Sequence, residues 1–255
     1  MSAGTRSFKD YVDDAGHMAL YRAYQQRYAR SIRESDRVLI EIIRALVAKR
    51  PRPGRPLRLL DVGCSTGNLL GHLKQALPGL ALSGADIVSE VIAECRANPD
   101  LAGIQFDEMN VLNPPAAGSS FDLVVTNAAL MFFDDDELGV ALRHLGALAA
   151  PGGWFVAFDY FHPFEQRVAL TETSRLHPHG LTFHLRPYGV MQRLLEEAGF
   201  ESPAFRPFHL PIDLPPPSDP GQISSYTVSQ QDGGRLCFRG TLYQPWCHLT
   251  AQRRR

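Results

Sequence analysis

The 255-residue sequence lacks the features that define several large protein classes. It has almost no net charge, −1 from 26 basic and 27 acidic residues, which argues against a general polyanion binder, and we expect Arg253, Arg254 and Arg255 to form a frayed tail. Its four cysteines include no C-x-x-C pair, so neither a metal site nor a disulfide framework is predicted. No apolar run is long enough for a membrane helix, and the polar start does not resemble a cleavable signal. These absences predict a cytoplasmic protein, monomeric or homodimeric, without nucleic-acid, membrane or metal partners.

The composition itself is that of a soluble globular protein, with 44% hydrophobic and 21% charged residues. Residues 1–50 are expected to form an N-terminal helical cap, or lid. Within it Tyr21, Tyr24 and Tyr28 fall at helical spacing, and the apolar residues of 38–47 repeat with the same period. The prolines of "PRPGRP" then end the helix and make a short connector.

From residue 57 the pattern changes to strand, loop and helix in alternation. Continuous apolar runs such as "LRLLDV" and "FDLVVTN" are typical of strands that helices cover on both faces. The alternation predicts a doubly wound, mostly parallel α/β sheet. We expect residues 57–255 to form this Rossmann-like domain, with a substrate-side insertion at 161–186 and antiparallel C-terminal strands at 208–250. Cap and domain are expected to make one compact unit.

The stretch "LLDVGCSTGNLL" lies where such a sheet binds its ligand, at the carboxyl end of the first strand. It is not a Walker phosphate loop, because no lysine follows Gly67 at the required place. It is not a regular dinucleotide fingerprint either, because Gly63, Ser65 and Gly67 do not supply G-x-G-x-x-G. A degenerate fingerprint for NAD(P) remains open at this point.

The stretch resembles the first motif of class I S-adenosylmethionine-dependent methyltransferases, an acidic residue followed by G-x-G-x-G, with Ser65 at the middle glycine. Further matches follow in the order of that family: "GADIV", "EMNV", "FDLVVTNAALMFF" and "LAAPGGWFVAFD". The resemblance covers residues 57–160 closely and 186–250 loosely. It implies a seven-stranded sheet with antiparallel C-terminal strands and S-adenosylmethionine as the cofactor.

The resemblance also implies roles for individual residues. Asp61 and Gly63 would hold the methionine end, Asp86 the ribose hydroxyls and Asn110 the adenine amine, while Asn127 would face the methionine or the transferring methyl. The expected cofactor-binding residues are Asp61, Gly63, Cys64, Ser65, Gly67, Asp86, Ile87, Asn110, Val111 and Asn127.

The catalytic candidates are Asn127 and His162, because an imidazole after the fifth strand can take a hydroxyl proton. The residues expected to line the substrate or form the lid are Tyr21, Tyr28, Met131, Tyr160 and His162. The implied function is methyl transfer to a small-molecule nucleophile, with oxygen favoured over nitrogen. Two alternatives stay open, an NAD(P)-dependent oxidoreductase and a non-catalytic binding subunit with the same fold.

Overall fold

The structure is a computed structural model that describes residues 15–49, 54–114, 120–175, 177, 180–219, 221 and 223–255. Parts of the predicted segments therefore lie outside the described residues. These parts are 1–14 and 50 of the cap, 51–53 of the connector, 115–119 of the main domain, 176, 178 and 179 of the insertion, and 220 and 222 of the C-terminal segment.

Twelve strands and six α-helices are assigned within these ranges. The strands are β1 (Leu57–Val62), β2 (Leu80–Asp86), β3 (Gln105–Glu108), β4 (Phe121–Asn127), β5 (Ala149–His162), β6 (Val168–Glu172), β7 (Leu181–Pro187), β8 (Phe200–Pro207), β9 (Ser225–Ser229), β10 (Arg235–Arg239), β11 (Leu242–Tyr243) and β12 (Trp246–Arg253). The helices are α1 (Ala15–Gln26), α2 (Glu34–Lys49), α3 (Asn68–Ala76), α4 (Ser89–Ala97), α5 (Asp135–Leu148) and α6 (Tyr188–Glu197), and short 3-10 turns span Pro99–Leu101 and Leu130–Phe132.

Seven strands follow one another across the main sheet in the order β3-β2-β1-β4-β5-β12-β8. The first five of these are parallel, and β12 runs antiparallel to both β5 and β8. The predicted fold class, a doubly wound and mostly parallel sheet with antiparallel C-terminal strands, is confirmed. The strand order reverses between β1 and β4, and parallel sheets of this kind bind ligands at such a point.

Two apolar cores cover the faces of the sheet. On β4, Leu123 and Val125 pack into the core shared with α2, α3 and α4, whereas Val124 between them packs into the core shared with α5 and α6. This alternation follows from the two-residue period of a strand. Helix α5 begins at a capping box in which Asp134 accepts from the backbone of Glu137, and Glu137 accepts from the backbone of Asp134.

The segment expected to be an insertion forms a hairpin that extends the sheet. Beyond its pairing with β4, β5 continues and pairs in parallel with β7, which pairs antiparallel with β6. In β7, Leu181, Phe183 and Leu185 are buried on one face, and this alternation is what makes the segment a strand. The expected C-terminal strands differ in their bounds, because β9, β10 and β11 form a separate three-stranded sheet and β8 already begins at residue 200.

The expectation of a frayed arginine tail is wrong for Arg253 and Arg254. Strand β12 continues through Arg253, whose Nη1 donates to the carbonyl oxygens of Ala198 and Gly199 at 3.1 and 2.7 Å. The backbone nitrogen of Arg254 also donates to Gly199, at 3.0 Å. These arginines satisfy the carbonyl groups left at the end of α6, which is a favourable place for a cation.

None of the described helices is both long and apolar enough to span a bilayer. In the described part of the chain, no group of three or more His, Cys, Asp or Glu is arranged to hold a metal ion.

Candidate cofactor and substrate site

The loop between β1 and α3 is tightly bent and packed against β2. Gly63 and Gly67 have φ angles of 76° and 74°, and the backbone nitrogens of Gly63 and Cys64 both donate to the Ala85 carbonyl oxygen. A Cβ on Gly67 would lie 2.7 Å from the Leu101 side chain, so this position requires glycine. Ser65 also has a positive φ, 49°, which costs an L-residue about 1 kcal/mol or more that glycine would not incur. Glycine adopts this backbone conformation without strain, which explains the glycine at the middle of the family's motif. Ser65 adopts the same conformation at a cost.

Asp86 fastens the end of β2 to this loop. Its Oδ2 accepts from the Ser65 nitrogen at 2.8 Å, and its Oδ1 accepts from the Val88 nitrogen at 3.1 Å. Burial raises the pKa of Asp86, and the backbone donors oppose that rise. Since a carboxylate offers about four acceptor positions, Asp86 keeps acceptor capacity for a ligand hydroxyl beside these backbone donors.

The residues expected at the adenine lie at the same end of the sheet. Ile87 follows Asp86 directly and packs on the core below it. The Met109 nitrogen donates to the Asp86 carbonyl oxygen, which places Asn110 beside the end of β2. The Asn110 Oδ1 accepts from the Leu112 nitrogen at 2.9 Å, so the Asn110 side chain also stabilises the turn that contains it. Val111 is buried, and its carbonyl oxygen lies 2.8 Å from His144 Nδ1.

Asp61 is a buried carboxylate with an unused oxygen. Its side chain is 1% exposed, and its Oδ1 has no hydrogen-bond partner among the described residues. Burial, and then the charges of Asp36 and Asp86, raise the pKa of Asp61 to about 8. A buried carboxylate without a cation or donors is costly, so this oxygen marks a place for a ligand. Beside it Cys64 is buried as well, and burial raises the pKa of its thiol.

The cap contributes a carboxylate that the sequence analysis did not identify. Asp36 of α2 is buried, and its Oδ1 accepts from Asn127 Nδ2 at 2.9 Å, which ties the cap to the end of β4. Arg33 lies 3.8 Å from the other oxygen. Asp36 precedes Ile40 and Ile43 by four and seven residues, so it lies on the apolar stripe of its helix. This carboxylate on an otherwise apolar stripe is the sequence feature from which Asp36 could have been predicted as a functional residue.

Helix α1 and the segment after it lie over the loop. Asn68 Nδ2 donates to the Gln25 carbonyl oxygen at 2.9 Å, and His72 Nε2 lies 3.0 Å from that of Tyr28. Tyr21 is close enough to Ser65 and Asp86 for both to affect its pKa, which burial raises. Of the two predicted lid tyrosines, Tyr21 therefore lies at the loop between β1 and α3, which we call the cofactor loop. The Tyr28 ring instead lies under the Arg33 guanidinium, 4.3 Å from it.

Another buried carboxylate, Asp159, lies near the end of β5, and both of its oxygens are hydrogen-bonded. Its Oδ2 accepts from the nitrogens of Leu130 and Met131 at 2.7 and 3.2 Å, and its Oδ1 from that of Tyr160 at 2.8 Å. Burial raises its pKa to about 6, and these donors and the charge of Arg186 oppose the rise. Asp159 therefore fixes the turn that follows β4, including the predicted substrate residue Met131.

An aromatic wall lies on the sheet beyond this turn, with Phe158 at its centre and Tyr160 at its margin. The Tyr160 hydroxyl accepts from Gln244 Nε2 at 2.5 Å, and its ring lies 4.3 Å from that of Trp246. The Trp246 ring stacks on Phe158 at 4.7 Å. We define the aromatic wall as Phe158, Tyr160, Phe208, Trp246 and His248. Only Tyr160 of this set is predicted from the sequence, because most of the other members meet through pairing of distant strands.

The two histidines of this region lie at different levels of the sheet. His248 and Asn127 both pair with Phe158, from opposite sides, so they lie level with each other. His162 lies four residues farther along β5, which is about 13 Å at the usual rise of a strand. The structure therefore places the predicted pair Asn127 and His162 apart. His162 is buried, and burial lowers its pKa.

His248, and not His162, lies level with Asn127, the other predicted catalytic residue. It is buried, and its Nε2 lies 3.3 Å from the Ser35 carbonyl oxygen, so Nε2 carries the proton and Nδ1 is an acceptor. Nδ1 has no hydrogen-bond partner in the described ranges. Burial lowers the pKa of His248 to about 4, so the imidazole is neutral at neutral pH.

Comparison with known proteins agrees with this geometry. Residues 59–153 match the sequence family described as a methyltransferase domain. A demethylmenaquinone methyltransferase of Thermus thermophilus is 33% identical over 110 residues, which make up 42% of this chain and 49% of that protein. The matched segments span about half the length of the first curated relatives.

Solved methyltransferases share the fold over nearly the whole chain. The Burkholderia thailandensis 1,6-didemethyltoxoflavin-N1-methyltransferase, solved with its substrate and S-adenosylhomocysteine, gives a TM-score of 0.59 at 16% identity and covers 100% of this chain and 94% of that one. The magnesium protoporphyrin IX methyltransferase of Synechocystis PCC 6803, solved with S-adenosylmethionine, gives 0.57 at 17% identity, with 96% and 94% covered. The sheet order and the loop after β1 thus define a Rossmann-like fold that this chain shares with solved methyltransferases. Together with the match of residues 59–153 to a methyltransferase domain, the chain is similar to class I S-adenosylmethionine-dependent methyltransferases, in agreement with the motifs.

Proposed function

We propose that this chain transfers a methyl group from S-adenosylmethionine to a small-molecule nucleophile. The observation that carries the proposal is the edge formed by the ends of β1 and β2, where Asp61 has a buried, unpartnered oxygen beside the glycine-containing loop and Asp86. S-adenosylmethionine is a cation with vicinal ribose hydroxyls, and it therefore suits a site that offers carboxylates for both features.

The residues present fit this cofactor. Gly63 and Gly67 allow the tight bend of the loop that brings its backbone to the ends of β1 and β2, Asp86 has acceptor capacity for the ribose, and Asp61 has an oxygen for the amino group of the methionine end. When bound, the cofactor would supply a methyl group on a positively charged sulfur. The Ile87, Asn110 and Val111 segment would line the adenine, and Asn127 and the aromatic wall would lie on the side of the transferring methyl.

The acceptor is inferred to be a flat small molecule, because Phe208 and Trp246, the half-buried members of the aromatic wall, offer ring surface beside a few polar groups. The protein would align the nucleophile, exclude water and accept a proton where the nucleophile carries one. Oxygen is the acceptor atom that we propose first, since a neutral imidazole can accept from a hydroxyl. His162 from the sequence and His248 from the register are the two candidates for that role.

Calorimetry with S-adenosylmethionine, S-adenosylhomocysteine and NAD tests the cofactor. We expect micromolar binding of the first two ligands and none of NAD. Binding of neither adenosyl ligand would refute the proposal. The protein is then mixed with S-adenosylmethionine and a phenol, a catechol or an aromatic nitrogen heterocycle, and mass spectrometry tests whether the added compound gains the mass of one methyl group. Cofactor binding without transfer to any of these acceptors would favour a binding subunit.

Asp86→Ala should weaken S-adenosylmethionine binding at least tenfold, because it removes the ribose acceptor and the anchor of the Ser65 nitrogen. Asp107→Ala is the matched control, since this aspartate on neighbouring β3 is 79% exposed. Circular dichroism should show both variants folded. Unchanged affinity in Asp86→Ala would mean that the motif assignment is wrong.

A further inference from the structure

Asp36 has a location that its helix alone does not explain. Its carboxylate comes from the first turn of α2 and is buried over the ends of β1 and β4. Thr126 of β4 pairs with Val62 of β1, so Asn127, which holds Asp36, is level with Gly63 at the start of the cofactor loop. This is the point where the strand order reverses, so the cap places an acidic group at the ligand-binding position of the sheet.

The partners of Asp36 do not balance its charge. Asn127 is a neutral donor, and Arg33, at 3.8 Å and 23% exposed, is beyond hydrogen-bond range. The Arg33 guanidinium also donates to Gln25 Oε1 at 2.5 Å and lies over the Tyr28 ring, so it is shared among three contacts. Arg33 and, more weakly, His72 therefore oppose the rise that burial causes in the pKa of Asp36, whereas no cation of the described residues does so for Asp61 or Asp86.

Asp61 supplies the independent observation that a ligand is missing. It is 1% exposed with an unpartnered oxygen, and the charge of Asp36 is the largest effect on its pKa after burial. The two carboxylates therefore lie close together across the boundary between cap and sheet. Two acids in such a place repel each other unless a cation lies between or beside them.

We propose that Asp36 is a cofactor-binding residue supplied by the cap, and that Asp36 and Asp61 together offset the two positive charges of S-adenosylmethionine, on its amino group and on its sulfur. This inference rests on the proposed function. The cation offsets the repulsion between a group on α2 and a group on β1, so cofactor binding holds the cap closed. Closure in turn places Asn127 and His248 under the first turn of α2, where both contact it.

The charge of the ligand provides the test. S-adenosylhomocysteine keeps the amino group but lacks the positive sulfur, so a site of paired carboxylates favours S-adenosylmethionine. Calorimetry on the full chain should show that Asp36→Asn loses at least tenfold in affinity for S-adenosylmethionine and less for S-adenosylhomocysteine. The control is Glu41→Gln on the same helix, because the Glu41 side chain is 60% exposed, and it should bind both ligands as the wild type does.

Hydrogen exchange gives a readout that does not depend on turnover. S-adenosylmethionine should slow exchange in residues 15–49 of the wild type and of Glu41→Gln, and much less in Asp36→Asn at ligand concentrations that saturate it. Urea unfolding establishes that Asp36→Asn is folded. Wild-type binding together with unchanged affinity in Asp36→Asn overturns this inference alone, as does an effect of the variant confined to the KM of a methyl acceptor. Failure of the wild type to bind either ligand overturns the proposed function itself.

Discussion

Asp61 at β1 and Asp159 at β5 are buried carboxylates near the same edge of the sheet, and each is 1% exposed. Asp159 accepts from three backbone nitrogens and faces Arg186, whereas Asp61 has an oxygen without a partner and faces two other acids. The pKa of Asp159 is raised to about 6 and that of Asp61 to about 8. Burial is the same for the two, so the difference comes from their partners.

The comparison separates a structural carboxylate from one that is kept for a ligand. A fold that uses a buried charge for its own stability surrounds it with donors, as β5 and the turn after β4 do for Asp159. A fold that reserves a charge for binding leaves it unsatisfied at some cost in stability. Substitutions at the two positions should therefore have opposite effects on stability.

Asp159→Ala should have the largest effect, a loss of about 3 kcal/mol in the free energy of unfolding, because three backbone donors lose their acceptor and Arg186 loses a nearby opposite charge inside the protein. Urea denaturation followed by circular dichroism measures it. Asp136→Ala, on an exposed residue at the start of α5, serves as the control and should stay within about 0.5 kcal/mol of the wild type. A loss below about 1 kcal/mol in Asp159→Ala would contradict the structural role.

Asp61→Asn should have a smaller effect and the opposite sign. Its folded-state pKa of about 8 lies above the unfolded value, so the folded protein binds the proton more tightly. The free energy of unfolding of the ligand-free wild type should therefore fall as the pH rises from about 4 to about 8. Asp61→Asn removes this loss and should be more stable than the wild type at pH 9 by about 1 to 3 kcal/mol.

Urea titrations at several pH values measure this difference. The same variant should bind S-adenosylmethionine at least tenfold more weakly, which no gain in stability offsets. If the wild type became more stable over that pH range, Asp61 would be ionised and paired in the free protein, and the contrast with Asp159 would disappear.

The smallest expected effect concerns the proton acceptor on the aromatic wall. Once an acceptor substrate is known, His248→Ala should lower kcat about tenfold while cofactor affinity stays the same, because His248 is level with Asn127. The wild-type profile of kcat against pH should lack an inflection near 6.5 from this group, since its pKa is lowered to about 4. His162→Ala is the paired measurement, and a larger loss of kcat in that variant would indicate that His162 is the proton acceptor.

The part of the fold that sequence could predict depends on local patterns. Most of the five parallel strands contain apolar runs, although β3 has only Phe106, and the loop after β1 appears as small residues at fixed spacing. The sheet and the positions of Asp61 and Asp86 therefore followed directly. Asp36, His248 and the donors of Asp159 could not be predicted, because they depend on which distant strands pair and in which register. His162 shows the limit most clearly, because the sequence placed it after the fifth strand, whereas β5 continues through His162 into a second pairing, with β7.

The position of β12 has a consequence for how the chain folds during synthesis. Although β12 comes last among the strands in sequence, it lies inside the sheet, with β5 on one side and β8 on the other. Chains emerge from the ribosome N-terminal end first, so β5 has one open edge until residues 246–253 have been made. An open, apolar strand edge is prone to join another chain. Trp246 to Arg253 therefore complete the sheet and also close the surface through which a nascent copy would aggregate.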